Sequence, residues 1–357
     1  MRLNFDPCLV CGRPGHALDS KEKKIYSFPC LRVLKEKQGV VTKMAKSKSS
    51  LPPLSELIKK GARGDEAALA RALSELERLG AQALHQAPEL LEPSHPALRL
   101  GLTGPPGAGK STLVSQLIRH LRQQELKVGV IAVDPSSPIS QGAILGDRIR
   151  YSEHFLDSQV FIRSLGTRGS LGGLSASAYL MLRAFDLCAF DVVLVETVGV
   201  GQSEMDIMHV ADEVMVVLVP ESGDAVQAMK AGLLEIADVF VVNKADRPGA
   251  SSLARELELS AQMSAESGRK SAEVVQTVAT EGRGVDILVN RALASFNSPE
   301  GWKARRSSAE RLRHEAKALL RQHWEHWVQK QTEGLKNTND LLQLIASMSS
   351  NAKDGID

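Results

Sequence analysis

A chain of 357 residues that is 43% hydrophobic and 24% charged can bury a substantial core, enough for one large domain with appendages. Its net charge of +2 gives no electrostatic reason to expect nucleic acid as the main partner. Four cysteines in so long a chain make no disulfide framework and fit a reducing cytoplasm, and no apolar run approaches the roughly 18 residues of a membrane span.

Residues 1–43 show no sustained apolar period and read as a disordered extension. They lack the apolar stretch of a secretory signal, and Asp6, Asp19, Glu22 and Glu36 oppose a mitochondrial transit segment. A polar Lys/Ser stretch after Met44 leads to Pro52-Pro53. Leu54, Leu57 and Ile58, resumed by Leu69, Leu73, Leu76 and Leu79, predict two or three helices across 54–92, so residues 44–96 are expected as an N-terminal helical segment. The turn-rich Glu92-Pro93-Ser94-His95-Pro96 closes it. Strands are then expected at 98–103, 128–134, 192–196, 214–219, 239–243 and 274–278, with helical patterns in most gaps, 111–124 and 225–236 among them. Over 97–295 this alternation predicts an α/β fold with a mostly parallel sheet covered on both faces and its ligand at the carboxyl ends of the strands. From Ser307 onward Leu312, Ala316, Leu319, Leu320, Trp324, Trp327 and Val328 form one helical stripe. Tryptophan is enriched at interfaces, so 296–357 is expected as a C-terminal helical dimerisation segment and tail. Arg305, Arg306, Arg311 and Arg313 read as a solvated face, and His323 with His326 lacks a third ligand for a metal.

The run Gly104-Pro105-Pro106-Gly107-Ala108-Gly109-Lys110-Ser111, followed by Thr112, fits G-x-x-x-x-G-K-[ST] between an expected strand and an expected helix. Glycines let successive backbone N–H groups face phosphate oxygens, and the helix start adds its positive partial charge. Lys110 is suited to bridge the β- and γ-phosphates and the Ser111 hydroxyl to hold Mg²⁺. Asn243-Lys244-Ala245-Asp246 lies just beyond a hydrophobic strand. A carboxylate at Asp246 accepts both the N1–H and the N2 amino hydrogens of guanine, an arrangement adenine does not offer, worth a discrimination of ~10⁴-fold. Between the two motifs the strand at 192–196 ends on Glu196, then Gly199 follows in E-x-x-G. The acid can orient the Mg²⁺ water shell and the Gly199 N–H can touch the γ-phosphate. Many GTPases place Asp here, so Glu196 is a departure. Asp134, at the end of the second strand, and Asp147, in a Gly-rich loop, are further candidates for Mg²⁺ or the attacking water. The ligand pair is therefore GTP/GDP with Mg²⁺.

These residues resemble one family closely: the MeaB/ArgK-type GTPase chaperones of adenosylcobalamin-dependent acyl-CoA mutases, to which the protein of cobalamin A-type methylmalonic aciduria is related. Besides the phosphate loop and Asn243 to Asp246, the resemblance is carried by Val133-Asp134-Pro135-Ser136-Ser137-Pro138, Gly142-Ala143-Ile144-Leu145-Gly146-Asp147-Arg148, Thr167-Arg168-Gly169, Gly172-Gly173-Leu174, Glu196-Thr197-Val198-Gly199-Val200-Gly201-Gln202-Ser203-Glu204 and Pro220-Glu221-Ser222-Gly223-Asp224. It implies a fold of the signal-recognition-particle class, a homodimer, switches at 134–148, 196–204 and 222–232, and a GTPase that gates cofactor loading into a mutase and protects it; the lack of an apolar run of span length adds the expectation of no membrane partner. Gln227 and Lys230 fall in the third switch. Where relatives often have Thr-Ser-Ala near the base, this chain has Thr277-Val278-Ala279, which leaves backbone contact from Val278 and Ala279. Val200, not Gln, follows Gly199, and Gln202 comes later, so slow intrinsic hydrolysis raised by a partner is expected. Two rivals remain: a nickel-type metal-delivery GTPase using Cys8, Cys11, His16 and Cys30, and an ATP-driven transport or kinase protein.

Overall fold

The computed structural model describes residues 52–93, 95–134, 150–166, 176–197, 203–220, 232–266, 271–333, 335 and 340. All of them lie in the second of the two units into which the chain divides, residues 52–357.

Helices α1 (Leu54–Ala62) and α2 (Glu66–Leu79) bury the predicted apolar stripe of Leu54, Leu57, Ile58, Leu69, Leu73 and Leu76. Asp65 starts α2 by accepting the Ala68 N–H at 2.9 Å, satisfying one of the free amides of the first turn. The alternating region then runs β1 (Leu98–Thr103), α3 (Lys110–Gln123), β2 (Val128–Asp134), β3 (Val160–Gly166), α4 (Ala176–Leu187) and β4 (Val192–Thr197). It continues with α5 (Ser203–Val210), β5 (Glu213–Leu218), β6 (Val239–Val242), α6 (Ala250–Glu266), β7 (Glu273–Gln276) and α7 (Val285–Asn297). Helices α8 (Glu300–Arg306) and α9 (Ala309–Thr332) follow.

The seven strands pair in the order β3-β2-β4-β1-β5-β6-β7, all parallel. Alternate residues of each strand enter different cores, as the period of two requires. Ile131, Val193, Val195, Val214, Val216 and Phe240 meet α1, α2, α4 and α5 on one face. Leu98, Leu100, Val130, Leu194, Met215 and Val241 meet α3 and α7 on the other. Coverage of both faces explains why these strands read as continuous apolar runs. The chain turns to opposite sides of β1, so a ligand crevice is expected at the carboxyl end of that strand.

Three expectations need correction. Strand β3 was not among those predicted: among the described residues it is an edge strand paired only with β2, and Arg163 breaks its apolar pattern, reaching back to Glu77 at 2.7 Å. Of the helix expected at 225–236, the described part is a short 3₁₀ turn, Leu233–Glu235, and the remainder lies outside the described residues. Arg305, Arg306 and Arg311 are not a solvated face. They turn under the amino ends of the strands, where Arg305 donates to Asp212 O at 2.6 Å, Arg306 to Ala97 O at 2.6 Å, and Arg311 to Met208 O at 2.6 Å. Arg306 also pairs with the buried Asp212 carboxylate. Only Arg313 of the four is exposed.

On α9, Leu319 packs against the core while Leu312, Leu320, Trp324 and Val328 face outward, with Trp324 stacked on Trp327 at 4.9 Å. Among the described residues no helix is long and apolar enough to cross a membrane.

Candidate nucleotide site

The phosphate loop leaves β1 through three glycines in the left-handed half of backbone space, Gly104, Gly107 and Gly109, at φ 135°, 79° and 90°. Two of them are also required by contact. A Cβ on Gly104 would sit on the Val217 carbonyl oxygen, and one on Gly109 would meet the Asn243 amide. Ala108 is buried, whereas Pro106, Gly107 and Thr112 are exposed and Pro105 and Gly109 half-exposed. Helix α3 begins at Lys110, one residue earlier than expected, so its free amides open onto the loop. The Lys110 ammonium is folded back over the loop, donating to Gly104 O at 2.7 Å and Pro105 O at 2.9 Å.

Ser111 donates to Glu196 Oε1 at 2.6 Å, joining the start of α3 to the end of β4. The second carboxylate oxygen, Oε2, accepts from the Tyr151 hydroxyl, and Arg150 donates to Ser111 Oγ at 3.1 Å. Burial pushes the Glu196 carboxyl up from its usual range, against the pull of the Ser111 and Tyr151 hydroxyls and the Lys110 and Arg150 charges. Glu204, at the start of α5, is likewise raised by burial and opposed by Lys110. Asp134 ends β2, and because Val133 is paired with Thr197, its backbone lies at the same strand edge as Glu196. The Asp134 side chain, Asp147, Gly199, Gln202 and most of the third switch lie outside what is described.

At β6, Asn243 is a buried brace. Its Nδ2 donates to Ala108 O at 2.8 Å, and its Oδ1 accepts from Thr277 Oγ1 and the Ala279 amide, each at 3.1 Å. It therefore ties the phosphate loop to the segment after β7. Lys244 takes a left-handed φ of 55°, Ala245 donates to Thr277 O at 3.0 Å, and this turn leaves Asp246 exposed. The Val278 amide is engaged by Arg283 O at 3.0 Å, and the side chains of Val278 and Ala279 are buried. Phosphate loop, Glu196 and the Asn243 to Asp246 turn thus meet at one edge of the sheet. Sequence reading did not single out Tyr151, Arg150 or Glu204 as site residues. The first two lie three and two residues beyond the matched run ending at Asp147-Arg148, but nothing in their spacing announces their partners.

Asp206, His209 and His314 form a second cluster, with one ligand atom from each within 4.8 Å of the others. The two imidazoles are stacked, 3.6 Å between centroids and 15° between planes. In that pose their in-plane lone pairs run side by side instead of converging on an ion. The cluster acts as a contact between α5 and α9, with Tyr179 OH 2.9 Å from His314 Nδ1.

The family described as methylmalonyl-CoA mutase-associated GTPase MeaB matches residues 69–334. A putative GTPase of Pyrococcus horikoshii is 48% identical over 241 residues, covering 67% of this chain and 76% of that protein. A Mus musculus protein described as methylmalonic aciduria type A homolog, mitochondrial, is 40% identical over 165 residues, 46% of this chain and 40% of that protein. A solved structure described as LAO/AO transport system kinase superposes with a TM-score of 0.52 at 25% identity, covering 83% of this chain and 97% of that one. The chain belongs to the family of MeaB-type methylmalonyl-CoA mutase-associated GTPases, P-loop proteins that bind guanine nucleotide and hydrolyse GTP.

Proposed function

We propose that this chain is a Mg²⁺-dependent GTP switch that gates adenosylcobalamin loading into a cobalamin-dependent acyl-CoA mutase, methylmalonyl-CoA mutase first among the clients, and protects that enzyme. The observation that carries the reading is the family match across 69–334, which includes every motif of the nucleotide site.

In this reading the amides of residues 104–112 and the Lys110 ammonium bind the phosphates. The donor set fits a hard cation: a hydroxyl and a carboxylate oxygen, Ser111 Oγ and Glu196 Oε1, are already held 2.6 Å apart, and oxygen is what Mg²⁺ prefers. Asp134 and Asp147 are the further oxygen donors this reading would assign to the cation. When bound, Mg²⁺ draws charge from the β- and γ-phosphate oxygens. Gly199 and Gln202 belong beside the γ-phosphate and the attacking water, and hydrolysis stays slow until a client orders the switches. Asp246 reads guanine, with Lys244 beside it. The amides of Val278 and Ala279 are engaged within the protein, so the 277–279 segment serves the base chiefly by holding Asn243.

The outward face of α9 supports a homodimer, because Leu320 at 69% and Trp324 at 57% exposure are large apolar groups left to solvent. A monomer mass by light scattering would contradict it. A cytoplasmic location is supported by the sparse cysteines, of which the buried Cys188 is a free thiol. Residues 8, 11, 16 and 30 of the metal-delivery alternative lie outside the described residues, and the guanine-reading carboxylate opposes an ATP-driven one.

Complex formation tests the proposal. The chain is run on gel filtration with methylmalonyl-, isobutyryl- or ethylmalonyl-CoA mutase, in GDP or in a non-hydrolysable GTP analogue. Co-elution with one of them that changes with the nucleotide is expected; no complex with any of the three would overturn it.

A further inference from the structure

Glu196 carries one more rotatable bond than the aspartate that many GTPases have at this point, so its carboxylate is harder to hold in one place. Here both of its oxygens are engaged. Oε1 accepts from Ser111 and Oε2 from Tyr151, one hydroxyl at each end of the carboxylate. Tyr151 is itself fully buried at 0% exposure, in the apolar cluster that also contains Val114, Val130 and Val160. The neighbouring Arg150 donates to Ser111 at 3.1 Å. Two adjacent residues therefore reach the two groups that face the magnesium side, one from the core and one from the surface. Tyr151 also opens the short 3₁₀ turn Ser152–His154, whose His154 amide bonds back to Tyr151 O at 3.0 Å, so its backbone is fixed as well as its ring.

We propose that Tyr151 is a positioning residue of the nucleotide site, whose hydroxyl holds the Glu196 carboxylate in the orientation that serves Mg²⁺ beside Ser111. The proposal rests on the reading of Ser111 and Glu196 as the magnesium side. Hydrogen bonds behind a ligand orient it, and their loss weakens metal binding by about 10- to 100-fold in general. A tyrosine that merely filled the core would leave the metal dependence untouched.

The test is a Mg²⁺ titration of the release of a fluorescent GDP analogue from the full chain. It compares wild type with Tyr151→Phe, Glu196→Asp, the double variant and Glu196→Gln. In Tyr151→Phe the Mg²⁺ midpoint for retaining nucleotide is expected to rise about tenfold, while release in EDTA changes by less than about twofold. In the Glu196→Asp background, whose shorter arm cannot span both hydroxyls, the same change is expected to add less than about twofold. Should Tyr151→Phe not fold, Tyr151→Met removes the hydroxyl with an adaptable apolar side chain and is read in the same way. A Mg²⁺ midpoint at the wild-type value, or an equal rise in both backgrounds, overturns the positioning role. A wild-type midpoint in Glu196→Gln instead overturns the magnesium reading, whatever the tyrosine variants do.

Discussion

In the proposed reading Asp246 decides the base by offering a carboxylate to two guanine donors; the turn through Lys244 leaves it exposed. Asp246→Asn replaces one acceptor by an N–H₂ donor, which matches the C2 carbonyl of xanthine. GTP affinity is expected to fall by ~10²- to 10⁴-fold and that for xanthosine triphosphate to rise, as competition binding would register; unchanged preference would remove Asp246 from the base. His209 gives a pH prediction. Burial, then the adjacent His314 and Arg311, push it down to about 4, with Glu310 opposing; Asp206 lies close by, and Tyr179 contacts the stacked His314. In the unfolded chain the imidazole titrates near ~6.5. Its contribution is therefore present above that pH and is lost as pH falls toward about 4, since the unfolded state then binds more protons. Urea unfolding at several pH values should show His209→Gln losing less stability on acidification than wild type. The residue types of the phosphate loop and of Asn243 to Asp246 were legible in the sequence because local chemistry fixes their spacing. The buried bracing role of Asn243 and the partners of Tyr151 and Thr277 were not, because each bond spans many residues in the chain.

Among elements, the central strands were readable because burial on both faces makes them apolar throughout, and their bounds agree with expectation to within two residues. Strand β3 escaped because an edge strand keeps polar positions, here Arg163 and Ser164. The C-terminal arginines were misread for a related reason: a sequence shows charge but not the acid waiting under the sheet. Asp212 is wholly buried and takes Arg306, while its carboxylate also accepts the Arg99 amide at 2.8 Å. Removing one partner of a buried pair strands the other, so Asp212→Ala is expected to cost about 3–5 kcal/mol in denaturant unfolding. Nucleotide affinity should stay near wild type, because this network lies at the amino ends of the strands, opposite the nucleotide. A loss below about 1 kcal/mol would show that α8 and α9 are held by packing instead.

At the scale of the molecule, the elements that carry the candidate site lead toward the outer face of α9. Glu196, next to last in β4, accepts from Ser111; Glu204, in the first turn of α5, is influenced by the Lys110 charge; His209 near the end of α5 stacks on His314 of α9; and α9 presents Leu320 and Trp324 outward. In the proposed reading this route would carry the nucleotide state to a partner, and the family match names the class of partner to try. The central claim is tested most directly by steady-state GTP hydrolysis of the purified chain, alone and with adenosylcobalamin-dependent methylmalonyl-CoA mutase. The account predicts slow turnover alone and a rise of about tenfold or more with the mutase, the behaviour of a site that a partner completes. Fast turnover that no mutase changes would contradict it.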